Sequence, residues 1–171
     1  MNWRILLAGL ALFAPLLYFL ARGFENDPKA LPDALRGQKA PPFSLESLEG
    51  HRISTKDFEG SPAVLNFWAT WCVPCLQEHP YLIEQAGRYK PKGVVFLGIL
   101  YGDTAEKARP FLARHGSAYP TLLDPSQASA IDYGVAGVPE TYVLDSAGTI
   151  VHKFSGPVDP AELGRILDGL L

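Results

Sequence analysis

A chain of 171 residues is long enough for one ordinary domain once an N-terminal appendage is set aside. Its 47% apolar content suffices for a real core. The net charge of −3, with no basic stripe to neutralise phosphates, argues against a nucleic-acid partner.

From Ile5 to Ala21 the chain carries no charge. As a helix this run reaches roughly 25 Å, the short edge of what crosses a hydrocarbon core of about 30 Å. A cleaved signal peptide is the alternative. The run ends Tyr18-Phe19-Leu20-Ala21-Arg22, however, with bulky Phe19 where a cleavage site takes a small side chain. The reading is an uncleaved anchor over residues 1–22, with a short inside amino tail and everything after it outside the cytoplasm. Residues 23–42, with Pro28, Pro32, Pro41 and Pro42, read as a tether, and residues 43–171 as the folded domain.

Phe43–Leu45 and His51–Ile53 flank Glu49-Gly50 and predict a short hairpin. Ala63–Ala69 is almost wholly apolar, as a strand covered on both faces requires. A helix follows Cys72 to about Tyr89, and Val94–Leu100 is a second buried strand. Thr104 is placed to cap a helix over Ala105–His115, which Pro110 should bend or divide. Tyr119–Leu123 is a short extended piece and Gln127–Tyr133 a short helix. Thr141–Leu144 and Thr149–Phe154 form a second hairpin. Asp159–Leu171 closes the chain as an amphipathic helix with Leu163, Ile166, Leu167 and Leu170 on one face. Strand-helix-strand alternation followed by a hairpin and a helix predicts an α/β fold, a mixed sheet covered by helices.

The two cysteines, Cys72 and Cys75, are the only ones. A structural disulfide stabilises most when it closes a long loop, so this spacing points to chemistry rather than scaffolding. Disulfide exchange needs one exposed, readily ionised thiol and a second that displaces the partner. At a helix start the free N–H groups and the dipole favour a Cys72 thiolate. Cys75 lies one turn deeper, and Pro74 suits a first turn because it has no N–H to lose there. Cys72 is therefore expected to attack and Cys75 to resolve. Trp68 reads as core, and Trp71, beside Cys72, as docking surface. A zinc or copper half-site with His79 as third ligand is the competing reading; no fourth ligand sits nearby in sequence, whereas structural zinc sites close with four.

The segment Asn66-Phe67-Trp68-Ala69-Thr70-Trp71-Cys72-Val73-Pro74-Cys75, with Glu78 following, resembles the active site of membrane-tethered thioredoxins. Gly134-Val135-Ala136-Gly137-Val138-Pro139-Glu140-Thr141 is a second match. With the Leu31–Gln38 approach and Ala40-Pro41-Pro42-Phe43, the whole chain is similar to the thioredoxins of cytochrome c maturation, the CcmG/DsbE family. The resemblance implies a thioredoxin-like fold in which Pro139, following Val138, is cis and faces the cysteines. It implies a reductant needing no cofactor beyond the Cys72–Cys75 pair, in the periplasm and anchored by one span in a bacterial inner membrane. Its partners would be apocytochrome c, or a dithiol maturation partner, and a membrane thiol electron donor. Ordinary thioredoxins carry a buried Asp six residues before the first Cys, and here Asn66 stands there, unable to titrate. Glu78 and Glu140 are the acids left to handle protons, although each also reads as a solvated or partner-facing charge. A related tethered thioredoxin serving another client, such as a copper-site protein, and a metal- or client-binding module without turnover are the other functions open at this point.

Overall fold

The computed structural model describes residues 35–171, together with Trp3, Phe13, Ala14, Pro15 and Tyr18, which are helical. The chain divides into two units, residues 1–32 and 33–171. Most of the expected anchor over residues 1–22 lies outside the described residues, among which no helix is long and apolar enough to cross a membrane.

The larger unit is built on a seven-stranded sheet: β1 (Ser44–Ser47), β2 (Arg52–Ser54), β3 (Ala63–Trp68), β4 (Val95–Leu100), β5 (Thr121–Leu123), β6 (Glu140–Leu144) and β7 (Ile150–Ser155). Their order is β2-β1-β5-β4-β3-β6-β7. β3, β4 and β5 run parallel, β6 is antiparallel to β3, and both hairpins are antiparallel. Helix α1 (Val73–Tyr89) crosses from β3 to β4, α2 (Ala105–His115) from β4 to β5, and α3 (Ala128–Asp132) precedes β6. Helix α4 (Pro160–Leu170) ends the fold. This is the predicted mixed sheet flanked by helices.

The apolar run at β3 is explained by its place at the centre. All six residues are buried, and alternate side chains feed opposite faces. Leu65 and Phe67 join Leu97, Ile99, Tyr133 and Tyr142 in one core. Val64 joins Phe96 and Val143 against Leu82, Ala86 and Tyr89 of α1 and Leu163 and Leu167 of α4. Asp159 caps α4 by accepting the N–H groups of Ala161 at 2.8 Å and Glu162 at 3.3 Å. The Tyr89 hydroxyl donates to the Gly164 carbonyl at 3.1 Å, tying α1 to α4; a Cβ on Gly164 would sit 3.4 Å from that oxygen.

Two expectations change. Pro110 lies inside α2 without dividing it, and Pro80 lies inside α1 in the same way. Each ring is exposed, as are the residues Glu106 and Leu76, whose carbonyls lose an N–H partner, so the missing bond falls on the solvent side of each helix, where it costs less than in the core. The fold also begins before residue 43. Gly37 and Ala40 donate their N–H groups to Ile150 and Gly148, and Leu35 and Ala40 pack against the core. A Pro- and Gly-rich stretch reads as linker by composition, yet it satisfies the otherwise open edge beside β7.

Candidate functional site

The carboxyl ends of β3 and β4 enclose a third apolar cluster, in which Trp68, Ala69, Leu100, Ala108 and Leu48 surround Cys72 and Cys75. Cys72 is the N-cap residue of α1, with extended backbone angles, and its sulfur accepts the Cys75 N–H at 3.1 Å. The two sulfurs are joined as a disulfide. The first turn of the helix, which includes Pro74, holds no acid, so nothing there opposes negative charge on Cys72. Neither cysteine is openly exposed: Cys72 is 4% and Cys75 3% accessible. What separates them is position, Cys72 at the helix end and Cys75 inside the first turn.

Around the pair the environment is uneven. Trp71 is 57% exposed, with its indole N–H directed at the Gly102 carbonyl at 3.4 Å. Val73 and Leu76 are also exposed beside it. Trp68 is buried, its ring 5.1 Å from Phe111 and 6.1 Å from His79. His79 turns its Nε2 to the Gly116 carbonyl at 2.9 Å rather than towards the sulfurs. Burial holds its basicity below the usual imidazole value, reinforced by nearby His115 and opposed by the Gly116 contact. Among the described residues no group of three His, Cys, Asp or Glu side chains is gathered closely enough to hold a metal ion.

The second sequence match comes to the same place. Val138 packs against the cluster that contains both cysteines. The Val138–Pro139 peptide is cis, and Pro139 is buried. The register that pairs Phe67 with Glu140 brings this turn to the end of β3, where the chain leaves for Cys72.

The two acids prove chemically different, and neither is a solvated charge. Glu78 is 2% exposed, one helical turn after Cys75. Its carboxylate accepts the Asn66 side-chain amide and the Val158 N–H, each at 2.9 Å. Asn66 also donates to the Thr141 hydroxyl at 2.9 Å. Burial pushes the Glu78 carboxyl up to about 7, against the pull of the Val158 N–H and the Asn66 amide. Glu140 is 3% exposed and is paired at 2.8 Å with the ammonium of Lys153, itself nearly buried. It also accepts the Tyr142 hydroxyl at 3.1 Å and the Ala136 N–H at 3.3 Å, so it ties the turn before Pro139 to the sheet.

Sequence reasoning passed over Lys153 and Asp103. Lys153 faces Tyr142 across the β6–β7 register, a pairing visible only once the strands are aligned. Asp103 sits just after β4, and its carboxylate accepts both the N–H of Thr70, at 2.8 Å, and its hydroxyl, at 2.5 Å. The partners are 33 residues apart, and no local pattern marks them.

Comparison with known proteins agrees with this geometry. Residues 36–153 match the model of the AhpC/TSA family. The chain is 41% identical over 170 residues to the thiol:disulfide interchange protein HelX of Rhodobacter capsulatus, covering 94% of each. It is 38% identical over 156 residues to the thiol:disulfide interchange protein DsbE of Escherichia coli, covering 88% of this chain and 82% of that one. A crystal structure of a thioredoxin-family thiol:disulfide interchange protein from Chlorobium tepidum superposes with a TM-score of 0.70 at 27% identity, over 79% of this chain and 97% of that one. The fold is thus thioredoxin-like. The chain belongs to the AhpC/TSA family and, with the DsbE and HelX thiol:disulfide interchange proteins it matches along most of its length, is a thiol:disulfide oxidoreductase.

Proposed function

We propose that this oxidoreductase works as a reductant in cytochrome c biogenesis, reducing the haem-attachment cysteines of apocytochrome c directly or through a dithiol partner. The observation that carries the reading is the Cys72–Cys75 pair at the amino end of α1, packed against Val138, the residue that precedes the cis Pro139. The Cys72 thiolate attacks a client disulfide; a bond forms between the Cys72 sulfur and one client sulfur, and the other leaves as a thiolate. Cys75 then loses its proton and attacks the Cys72 sulfur, which expels the second client thiolate and closes the Cys72–Cys75 disulfide. Two electrons have passed to the client, and a membrane thiol donor returns them. Glu78, one turn from Cys75 and poised near neutrality, takes the Cys75 proton. Glu140 holds the turn that carries Val138 and Pro139. Trp71 offers the client a docking surface.

In the same reading, residues 1–22 form an uncleaved anchor in a bacterial inner membrane, and the segment after it leads to the folded domain, which acts in the periplasm. The uncharged run from Ile5 to Ala21 and its bulky end support that topology.

The test is a Cys75→Ser chain expressed in the native host. It should accumulate mixed disulfides through Cys72 that dissolve on adding dithiothreitol, with apocytochrome c or a dithiol maturation protein among them. Thiol labelling of the parent should find the pair mostly reduced while the donor is present. Adducts formed instead by a Cys72→Ser chain would reverse the roles, and a parent resting as the disulfide would reverse the direction of electron flow.

A further inference from the structure

The turn from Trp68 to Cys72 is held from one side by the loop that follows β4. The Tyr101 N–H donates to the Trp68 carbonyl at 2.8 Å, and the Gly102 carbonyl receives the Trp71 indole. Asp103 contributes most. One carboxylate oxygen accepts both donors of Thr70, and the other accepts the Thr104 N–H at 2.8 Å. The Asp103 side chain is fully covered, with the exposed Lys107 ammonium 3.9 Å away. Burial works against its negative charge, but the Thr70 hydroxyl and N–H, the Thr104 N–H and Lys107 together hold the carboxyl below the usual range. The surrounding donors thus favour its anionic form.

Trp71 has no comparable support of its own. More than half of it faces solvent, and beyond the indole contact to the Gly102 carbonyl at 3.4 Å its place follows the backbone it leaves from, next to Thr70. We propose that Asp103 is a positioning residue that, through Thr70, sets Trp71 in front of Cys72 and so tunes the chain for polypeptide clients over small disulfides. The proposal rests on the reading of Cys72 as the attacking thiol and Trp71 as docking surface. A charge-assisted hydrogen bond to a buried carboxylate is among the stronger single contacts in a protein, and its loss converts to roughly a tenfold effect on a step that needs the braced geometry.

The experiment compares the reduced full chain with its Thr70→Ser, Thr70→Val and Asp103→Asn variants. Two substrates are used: a synthetic peptide carrying one Cys-x-x-Cys disulfide, and 5,5′-dithiobis(2-nitrobenzoic acid), which is too small to need Trp71. Thr70→Ser keeps the hydroxyl and should match the parent on both. Thr70→Val and Asp103→Asn should lose about tenfold on the peptide and less than about twofold on the small disulfide. Equal losses on both substrates would reveal only fewer competent molecules and overturn the proposal, as would a Thr70→Val chain indistinguishable from Thr70→Ser. A Cys72→Ser chain that still reduces the peptide would instead overturn the reading of the cysteine pair.

Discussion

The proton assigned to Glu78 has a thermodynamic signature that is independent of turnover. Its carboxyl is lifted from an ordinary 4.5 to about 7 by burial. Between those values the folded chain keeps a proton that the unfolded chain has released. Stability therefore falls as pH rises through that window and levels off above about 7. The lift corresponds to roughly 3 kcal/mol between the two ends of the window. Glu78→Gln fixes the site in a neutral form of the same shape. An Asn66 amide turned over would present its oxygen to the nitrogen of the introduced amide and to the Thr141 hydroxyl, and the oxygen of that amide would keep the Val158 N–H. Each of the three contacts made by Glu78, Asn66 and Thr141 thus has a counterpart in the variant.

Unfolding by urea, with the disulfide intact so that neither cysteine titrates, should then show the variant and parent equally stable near pH 4. The variant should pull ahead by about 2–3 kcal/mol near pH 9, after allowing for a slightly poorer hydrogen bond. The same substitution should slow release of a mixed disulfide from Cys72 and remove the inflection near neutral pH from that step. A stability difference that stays constant across pH would show that no proton is held at Glu78, and the acid–base role would go with it.

Lys153→Met should cost about 3–5 kcal/mol in a urea melt, because it leaves the Glu140 carboxylate buried without its cation; the Glu140→Gln, Lys153→Met pair should recover most of that loss. Additive losses in that cycle would mean the pair at 2.8 Å is not coupled. For the topology, the mature protein isolated from membranes should retain Met1 or Asn2 as its amino terminus, read by Edman degradation or mass spectrometry. A terminus near Arg22 or beyond would rule out the anchor.

The parts of this protein that are legible in sequence are those whose physics is contiguous. Trp71-Cys72-Val73-Pro74-Cys75 declares a strand end, a helix start and a dithiol within one turn, and β3 declares its burial by composition. Proline was a poorer guide. Pro80 and Pro110 are interior to helices because each faces solvent, and exposure is a tertiary fact. The edge pairing of Gly37 and Ala40 was hidden for the related reason that a strand edge in need of partners lies over a hundred residues away. The two acids differ for the same kind of reason. In sequence Glu78 and Glu140 are both candidates, each near a motif. The β6–β7 register delivers an ammonium to Glu140, and burial beside Asn66 and Val158 gives Glu78 only neutral donors. A carboxylate matched by a buried cation is suited to hold a loop, and one matched by neutral N–H groups is suited to exchange a proton. The division of labour between them is set by register and burial, neither of which is written at the residues themselves.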